Sequence, residues 1–225
     1  MEIAVIAGTP FDAEVGAALL RDAGHAATPY PMAGSADEQD AMQYESPDTL
    51  RAAFHDLVRD LDTRSHRVAM LFCNSLSAVV GDDTAAEAAT LAVVSPTAVY
   101  HEAAAAYRRV LVVTGNGSAV VGYERATGST AHRALCVSDP MLVRAIETGD
   151  PATAFHRSSL PDTLRLAERN EFEAVVLACT HFTAVLPHVL AACRLPVVDV
   201  GGRLVELTAR AAVAAAADGL LDRST

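Results

Sequence analysis

Two stretches of the chain follow one plan. Arg67-Val68-Ala69-Met70-Leu71-Phe72 is an apolar run that ends in Cys73, and Glu173-Ala174-Val175-Val176-Leu177-Ala178 is another that ends in Cys179. Each cysteine precedes two small or polar residues, Asn74-Ser75 and Thr180-His181, and then an apolar helical pattern. A thiol ionises near about 8.5 in water, and the free N–H groups of a following helix favour its thiolate. A thiolate so placed is a nucleophile, or a base for a carbon-bound proton. Two in matched contexts suggest chemistry with one thiol on each side of a substrate. A buried cysteine is otherwise a small apolar residue. That plainer reading is preferred for Cys136 and Cys193, which lack polar company suited to a site.

The neighbours fit such a site. Asn74, Ser75 and Thr180, with the helix N-terminal amides, are candidates for binding a substrate carboxylate, although Ser75 and Thr180 are equally ordinary helix caps. His181 is a candidate to tune Cys179 or to share its proton transfer, and adjacency to the thiol separates it from the other histidines. Gly8-Thr9-Pro10 and Thr114-Gly115-Asn116-Gly117-Ser118 each follow an apolar run. Their glycines allow close backbone approach, and Thr9, Pro10, Thr114 and Asn116 are further candidates for substrate contact. Neither stretch has the GxGxxG spacing of a dinucleotide site. Arg133 and Arg203 are cations to consider for a substrate side chain.

Composition narrows the chemistry. The chain has 225 residues, and all 17 of its basic residues are arginine. Without lysine no internal aldimine with pyridoxal phosphate can form, and the phosphate-binding GxxxxGK[ST] loop is missing. No cofactor and no metal are expected, since the four cysteines show neither CxxC nor Cys/His ligand spacing. A formal net charge of −11 disfavours nucleic acid. No apolar stretch reaches the roughly 18 residues of a membrane span, and Met1-Glu2-Ile3 reads as the start of a strand rather than a signal peptide. A cytoplasmic protein with no membrane partner is the expectation, its cysteines free thiols.

The elements that must position these residues alternate along the chain. Strands are predicted at 2–7, 26–30, 67–73, 91–95, 109–114, 133–137, 173–179 and 196–200. Helices are predicted at 12–24, 48–61, 76–90, 97–107, 139–148, 160–170, 182–193 and 202–218. Residues 31–47 carry no clear signal and read as a solvated connection, or as a loop long enough to cover a cleft. Strands spaced by helices imply parallel sheets with right-handed crossovers. The strands also repeat: EIAVIAG matches RVLVVTG with an offset of 115 − 8 = 107. The cysteine strands give 179 − 73 = 106, and AVVSP against PVVDV gives 197 − 93 = 104. Buried strands look alike, but the matched cysteine favours duplication of a half-length unit. The expected fold is α/β, with two pseudo-symmetric lobes, each a parallel sheet flanked by helices. Lobes at 1–95 and 96–202 are expected, with 203–225 packing back on the first and the active site in the cleft between them.

With CNS at 73–75 and CTH at 179–181, the chain resembles the aspartate/glutamate racemase superfamily over nearly its whole length, including GTPFD at 8–12 and AIETGDP at 145–151. The resemblance implies pyridoxal-independent, two-base racemisation of an acidic amino acid or close analogue. One thiolate would remove the α-proton while the other thiol delivers a proton to the opposite face. Cys73 would serve the D-enantiomer and Cys179 the L-enantiomer, with His181 supporting Cys179. Asn74, Ser75, Thr180 and the Thr114 region would bind the α-carboxylate and ammonium. A small carboxylate is the implied partner, and a homodimer the implied assembly. Where glutamate racemases carry an Asp-Ser pair after the first strand, this chain has Ala7-Gly8-Thr9. Its CTH departs from the CTE of aspartate racemases, and arylmalonate decarboxylases keep only the second cysteine. A maleate-type isomerase, a hydantoin racemase and a non-enzymatic acid-binding regulator are the alternative readings.

Overall fold

The computed structural model describes residues 2–42, 44–64, 66–81, 91–128 and 131–221. The chain divides into two compact units, Met1–Ser95 with Leu204–Thr225, and Pro96–Arg203.

The first unit runs β1 (Glu2–Ala7), α1 (Pro10–Asp22), β2 (Ala26–Pro31), α2 (Ala36–Met42), α3 (Pro47–Thr63), β3 (Val68–Leu71), α4 (Asn74–Val80) and β4 (Ala92–Val94). Its four strands are all parallel and lie in the order β2-β1-β3-β4. β1 and β3 occupy the middle, which is why Ile3–Ala7 and Val68–Leu71 are unbroken apolar runs with no alternation. Phe54, Val58 and Leu61 recur at helical spacing on α3 and bury one face against Ala4, Ile6, Ala69 and Leu71. Each such large side chain contributes about 1.5–3 kcal/mol by leaving water.

The second unit repeats the arrangement. Its elements are α5 (Pro96–Ala106), β5 (Arg109–Thr114), α6 (Gly117–Thr127), β6 (Arg133–Ser138), α7 (Pro140–Thr148), α8 (Pro151–Arg157), α9 (Leu160–Arg169) and β7 (Ala174–Ala178). A 3-10 helix (Thr180–Val185), α10 (Leu186–Ala192), β8 (Val197–Asp199) and the start of α11 (Val200–Leu221) follow. The sheet is again parallel, in the order β6-β5-β7-β8. Both sheets therefore place the unit's first strand beside its third, with the second and fourth at the edges. The strands paired by the offsets of 107, 106 and 104 hold equivalent places in the two sheets.

Four expectations need correction. The segment 31–47 contains α2, which starts from a capping arrangement: Ser35 Oγ accepts the Glu38 N–H at 3.2 Å, while Glu38 Oε2 accepts the Gly34 N–H at 2.7 Å. The segment after Thr148 contains α8, capped by Asp150, whose carboxylate accepts the Thr153 N–H at 2.8 Å. The helix expected at 182–193 is instead a 3-10 helix followed by α10, because Pro187 lacks the N–H a continuous helix would need. Of the helix expected at 76–90, α4 ends at Val80, and residues 82–90 lie outside the described residues. Among the described residues no helix is long and apolar enough to cross a membrane.

Candidate active site

Cys179 is the residue at which β7 turns into the 3-10 helix. Its backbone is extended (φ −151°, ψ 127°), and its carbonyl accepts the Phe182 N–H at 3.0 Å. The residue is buried, at 8% exposure. On the neighbouring strand Thr114 pairs with Ala178, so Gly115 stands level with Cys179. A Cβ on Gly115 would lie 2.9 Å from the Cys179 sulfur and 3.0 Å from a Val143 methyl. The absence of a side chain at residue 115 is what gives the thiol its place.

His181 and Glu147 complete this cluster. The His181 Nδ1 is 3.9 Å from the Cys179 sulfur, at the long end of a sulfur hydrogen bond, and its Nε2 is 2.9 Å from Glu147 Oε1. Both side chains are shielded, at 4% and 11% exposure. An ionised carboxylate only accepts, so Nε2 carries the proton that it shares with Glu147. In the neutral ring Nδ1 then presents a lone pair toward the thiol. The arrangement can take a proton from sulfur onto the imidazole while the carboxylate stabilises the positive ring.

Cys73 is built in the same way on different chemistry. It too is extended (φ −159°, ψ 114°), 5% exposed, and positioned as the residue before a helix; its carbonyl accepts the Ser77 N–H at 3.0 Å. Each sulfur has a polar side chain two residues on. For Cys73 that is the Ser75 hydroxyl, at 3.5 Å. Cys73 thus sits beside a neutral hydroxyl, whereas Cys179 has an imidazole backed by a carboxylate. Asn74 is buried next to Cys73, as Thr180 is next to Cys179.

The remaining candidates hold local structure together. Thr9 caps α1, its hydroxyl accepting the Asp12 N–H at 3.1 Å, and Pro10 is the exposed first residue of that helix. Thr114 is fully buried; its hydroxyl bonds to the Asn116 carbonyl at 3.1 Å and to Ser138 Oγ at 2.7 Å. Asn116 caps α6 through the Ala119 N–H at 3.0 Å. At the end of β8, the Asp199 carboxylate accepts from the Thr183 hydroxyl (2.9 Å) and the Gly202 N–H (3.0 Å), which ties the 3-10 helix to α11. Arg203 is engaged by Glu102 through two bonds of 2.8 and 2.9 Å, and Arg133 opens β6 at the end of the strand opposite Ser138. Burial raises the thiol of Cys136 to about 11 and pushes that of Cys193 up as well, as suits the structural role preferred for both. Among the described residues no group of three His, Cys, Asp or Glu could hold a metal ion.

Residues 14–208 match the model of the Asp/Glu/Hydantoin racemase family. The chain belongs to that family. No curated protein matches it. Among solved structures, glutamate racemase from Thermus thermophilus, in complex with beta-chloro-D-alanine, superposes with a TM-score of 0.70 at 16% identity, covering 97% of this chain and 82% of that one. Aspartate racemase from Picrophilus torridus gives 0.69 at 16% identity, over 96% and 94%. A cysteine-bearing mutant of arylmalonate decarboxylase in a sulfate-associated form gives 0.63 at 19%, over 94% and 93%. At these identities the likeness is one of fold. The fold it shares with these racemases consists of two parallel four-stranded sheets flanked by helices.

For this racemase-family chain, sequence reasoning missed Glu147. The residue lies within the AIETGDP stretch at 145–151, in the last turn of α7, but carries no mark that separates it from the other acidic residues. Only the tertiary placement of α7 against the 3-10 helix brings it to His181.

Proposed function

We propose that this member of the family is a cofactor-independent racemase of an acidic amino acid, glutamate or aspartate, or a close analogue. The reading gives Cys73 and Cys179 the two bases. One thiolate takes the α-proton as the C–H bond breaks, and its electron pair is held in the adjacent carboxylate system. The other thiol gives its proton to the opposite face, so each turnover leaves the thiol and thiolate exchanged. No redox partner enters, and the absence of lysine leaves the thiols to do this work without a pyridoxal aldimine.

The observation that carries the reading is the Cys179–His181–Glu147 chain of contacts, at 3.9 and 2.9 Å. A structural cysteine has no need of a buried imidazole held by a buried carboxylate, whereas a proton-transferring one does. Cys73, with the same backbone placement and a hydroxyl at 3.5 Å, is the natural second base. Asn74, Ser75, Thr180 and the Thr9, Pro10, Thr114 and Asn116 turns are proposed to line the substrate carboxylate and ammonium.

The test is a panel of glutamate, aspartate, other amino acids and a substituted hydantoin, incubated in deuterium oxide. The expected result is α-deuterium gain with inversion for an acidic member. The hydantoin belongs in the panel because the family model spans such racemases. A stable covalent adduct with an unsaturated diacid would instead favour a maleate-type isomerase. Tight binding without exchange would favour the regulatory reading.

A further inference from the structure

The end of β1 has a gap in its own side chains, and another element fills it. β1 pairs with β3 through Ile6 and Leu71, and the pairing continues to Phe72, whose N–H donates to the Ile6 carbonyl at 2.7 Å. Two residues beyond that pair, Gly8 stands level with Cys73, one strand spacing of about 4.8 Å away. A Cβ on Gly8 would lie 2.3 Å from Gln39 Nε2, 2.9 Å from Cδ and 3.3 Å from Cγ. All three atoms belong to one side chain. The Gln39 carboxamide therefore occupies the space that a side chain of residue 8 would take.

The backbone sets this placement. The Met32 N–H donates to the Ala7 carbonyl at 2.8 Å and the Ala33 N–H to the Gly8 carbonyl at 3.0 Å, so the chain leaving β2 is laced to the end of β1. Gln39 follows within α2, with its N–H on the Ser35 carbonyl at 3.0 Å. The segment that reads as a plain connection in the sequence is thus tied to β1 at its start, and it brings one amide to the strand end beside Cys73.

We propose that Gln39 is a substrate-binding residue at the Cys73 end of the site, its carboxamide donating to a carboxylate oxygen of the substrate. The inference rests on the racemase reading. A carboxamide offers two N–H donors and does not titrate, so it receives a carboxylate at any pH without like-charge repulsion. Ala7, Gly8 and Thr9 supply no acid at this strand end. A substrate carboxylate can therefore approach Gly8 without meeting a fixed negative charge from those residues.

The experiment uses the full chain and whichever panel acid the wild type exchanges fastest. Gln39→Ala should raise KM by about tenfold, with kcat within about threefold. Gln39→Glu should bind more weakly than wild type at neutral pH. Its KM should also fall as the pH drops through the carboxylate range, a dependence that a packing role would not create. Gly8→Ala, which displaces the carboxamide, should raise KM as Gln39→Ala does, and the double variant should be no worse than either single one. An independent readout is protection of Cys73 from iodoacetamide by the same acids, followed by mass spectrometry; the half-protecting concentration should shift with KM. An active wild type with KM and protection in Gln39→Ala within about twofold of it overturns the assignment alone. A wild type that neither exchanges nor is protected by any acid overturns the racemase reading, and the assignment with it.

Discussion

The Nε2 of His181 lies 2.9 Å from a carboxylate oxygen of Glu147, and both side chains are shielded from water. The carboxylate fixes the tautomer, and the tautomer turns Nδ1 toward Cys179. Glu147→Gln keeps an acceptor oxygen but removes the charge that stabilises a protonated ring. It should lower kcat by about 10²-fold with KM little changed, the usual size of an acid–base contribution. Steady-state racemisation of the variant checks this; a kcat within about twofold of wild type would leave Glu147 a structural partner only.

Gly115 leaves the Cys179 sulfur its space. Alanine there would put a Cβ 2.9 Å from the sulfur and 3.0 Å from Val143. Gly115→Ala should cost about 1–3 kcal/mol of stability through overpacking. It should also cut racemisation by about tenfold or more, because small displacements of a reacting atom are expensive. Denaturant unfolding and turnover measured on one preparation separate the two effects.

Some of this was open to inspection in the sequence and some was not. The strands were legible because buried parallel strands are continuous apolar runs, and the repeated arrangement because a cysteine broke the sameness at 73 and 179. The helix at 36–42 lacks an apolar face and persists through its Ser35 and Glu38 capping bonds, so periodicity could not find it, although the Ser-x-x-Glu pattern could have. Asp150-Pro151 and Pro187 were likewise signals of a helix start and a break. Glu147 and Gln39 were out of reach. Their roles depend on which helix end meets which strand end, a relation that local pattern does not carry.

Asp199 should make stability depend on pH. Burial pushes its carboxyl above the ordinary value, against hydrogen bonds from the Thr183 hydroxyl and the Gly202 and Gly201 N–H groups that pull it down. A carboxyl whose pKa is higher in the folded state binds its proton more tightly there. Its contribution is greatest below the unfolded value of about 3.9 and is lost as the pH rises through the folded value. Asp199→Asn keeps the acceptor oxygen and never ionises. Its Tm should therefore gain on wild type as the pH rises above about 4, and a constant difference would contradict the assigned shift. Asp199→Ala, which removes the cap, should destabilise by about 1 kcal/mol.

Cys136 and Cys193 should be bystanders. With its thiol raised to about 11, chiefly by burial and then by Glu124, Cys136 stays protonated at neutral pH and should alkylate slowly. Cys136→Ser and Cys193→Ala should leave α-deuterium exchange within about twofold of wild type. A larger loss in either would mean that the catalytic thiols are wrongly assigned.

Racemisation in deuterium oxide by Cys73→Ala and Cys179→Ala tests the two-thiol mechanism most directly. The account predicts that the wild type places solvent deuterium at the α-carbon of the inverted product. Each single variant should lose interconversion by about 10³-fold or more, since neither thiol can serve both faces. Interconversion at near the wild-type rate by either variant would contradict it.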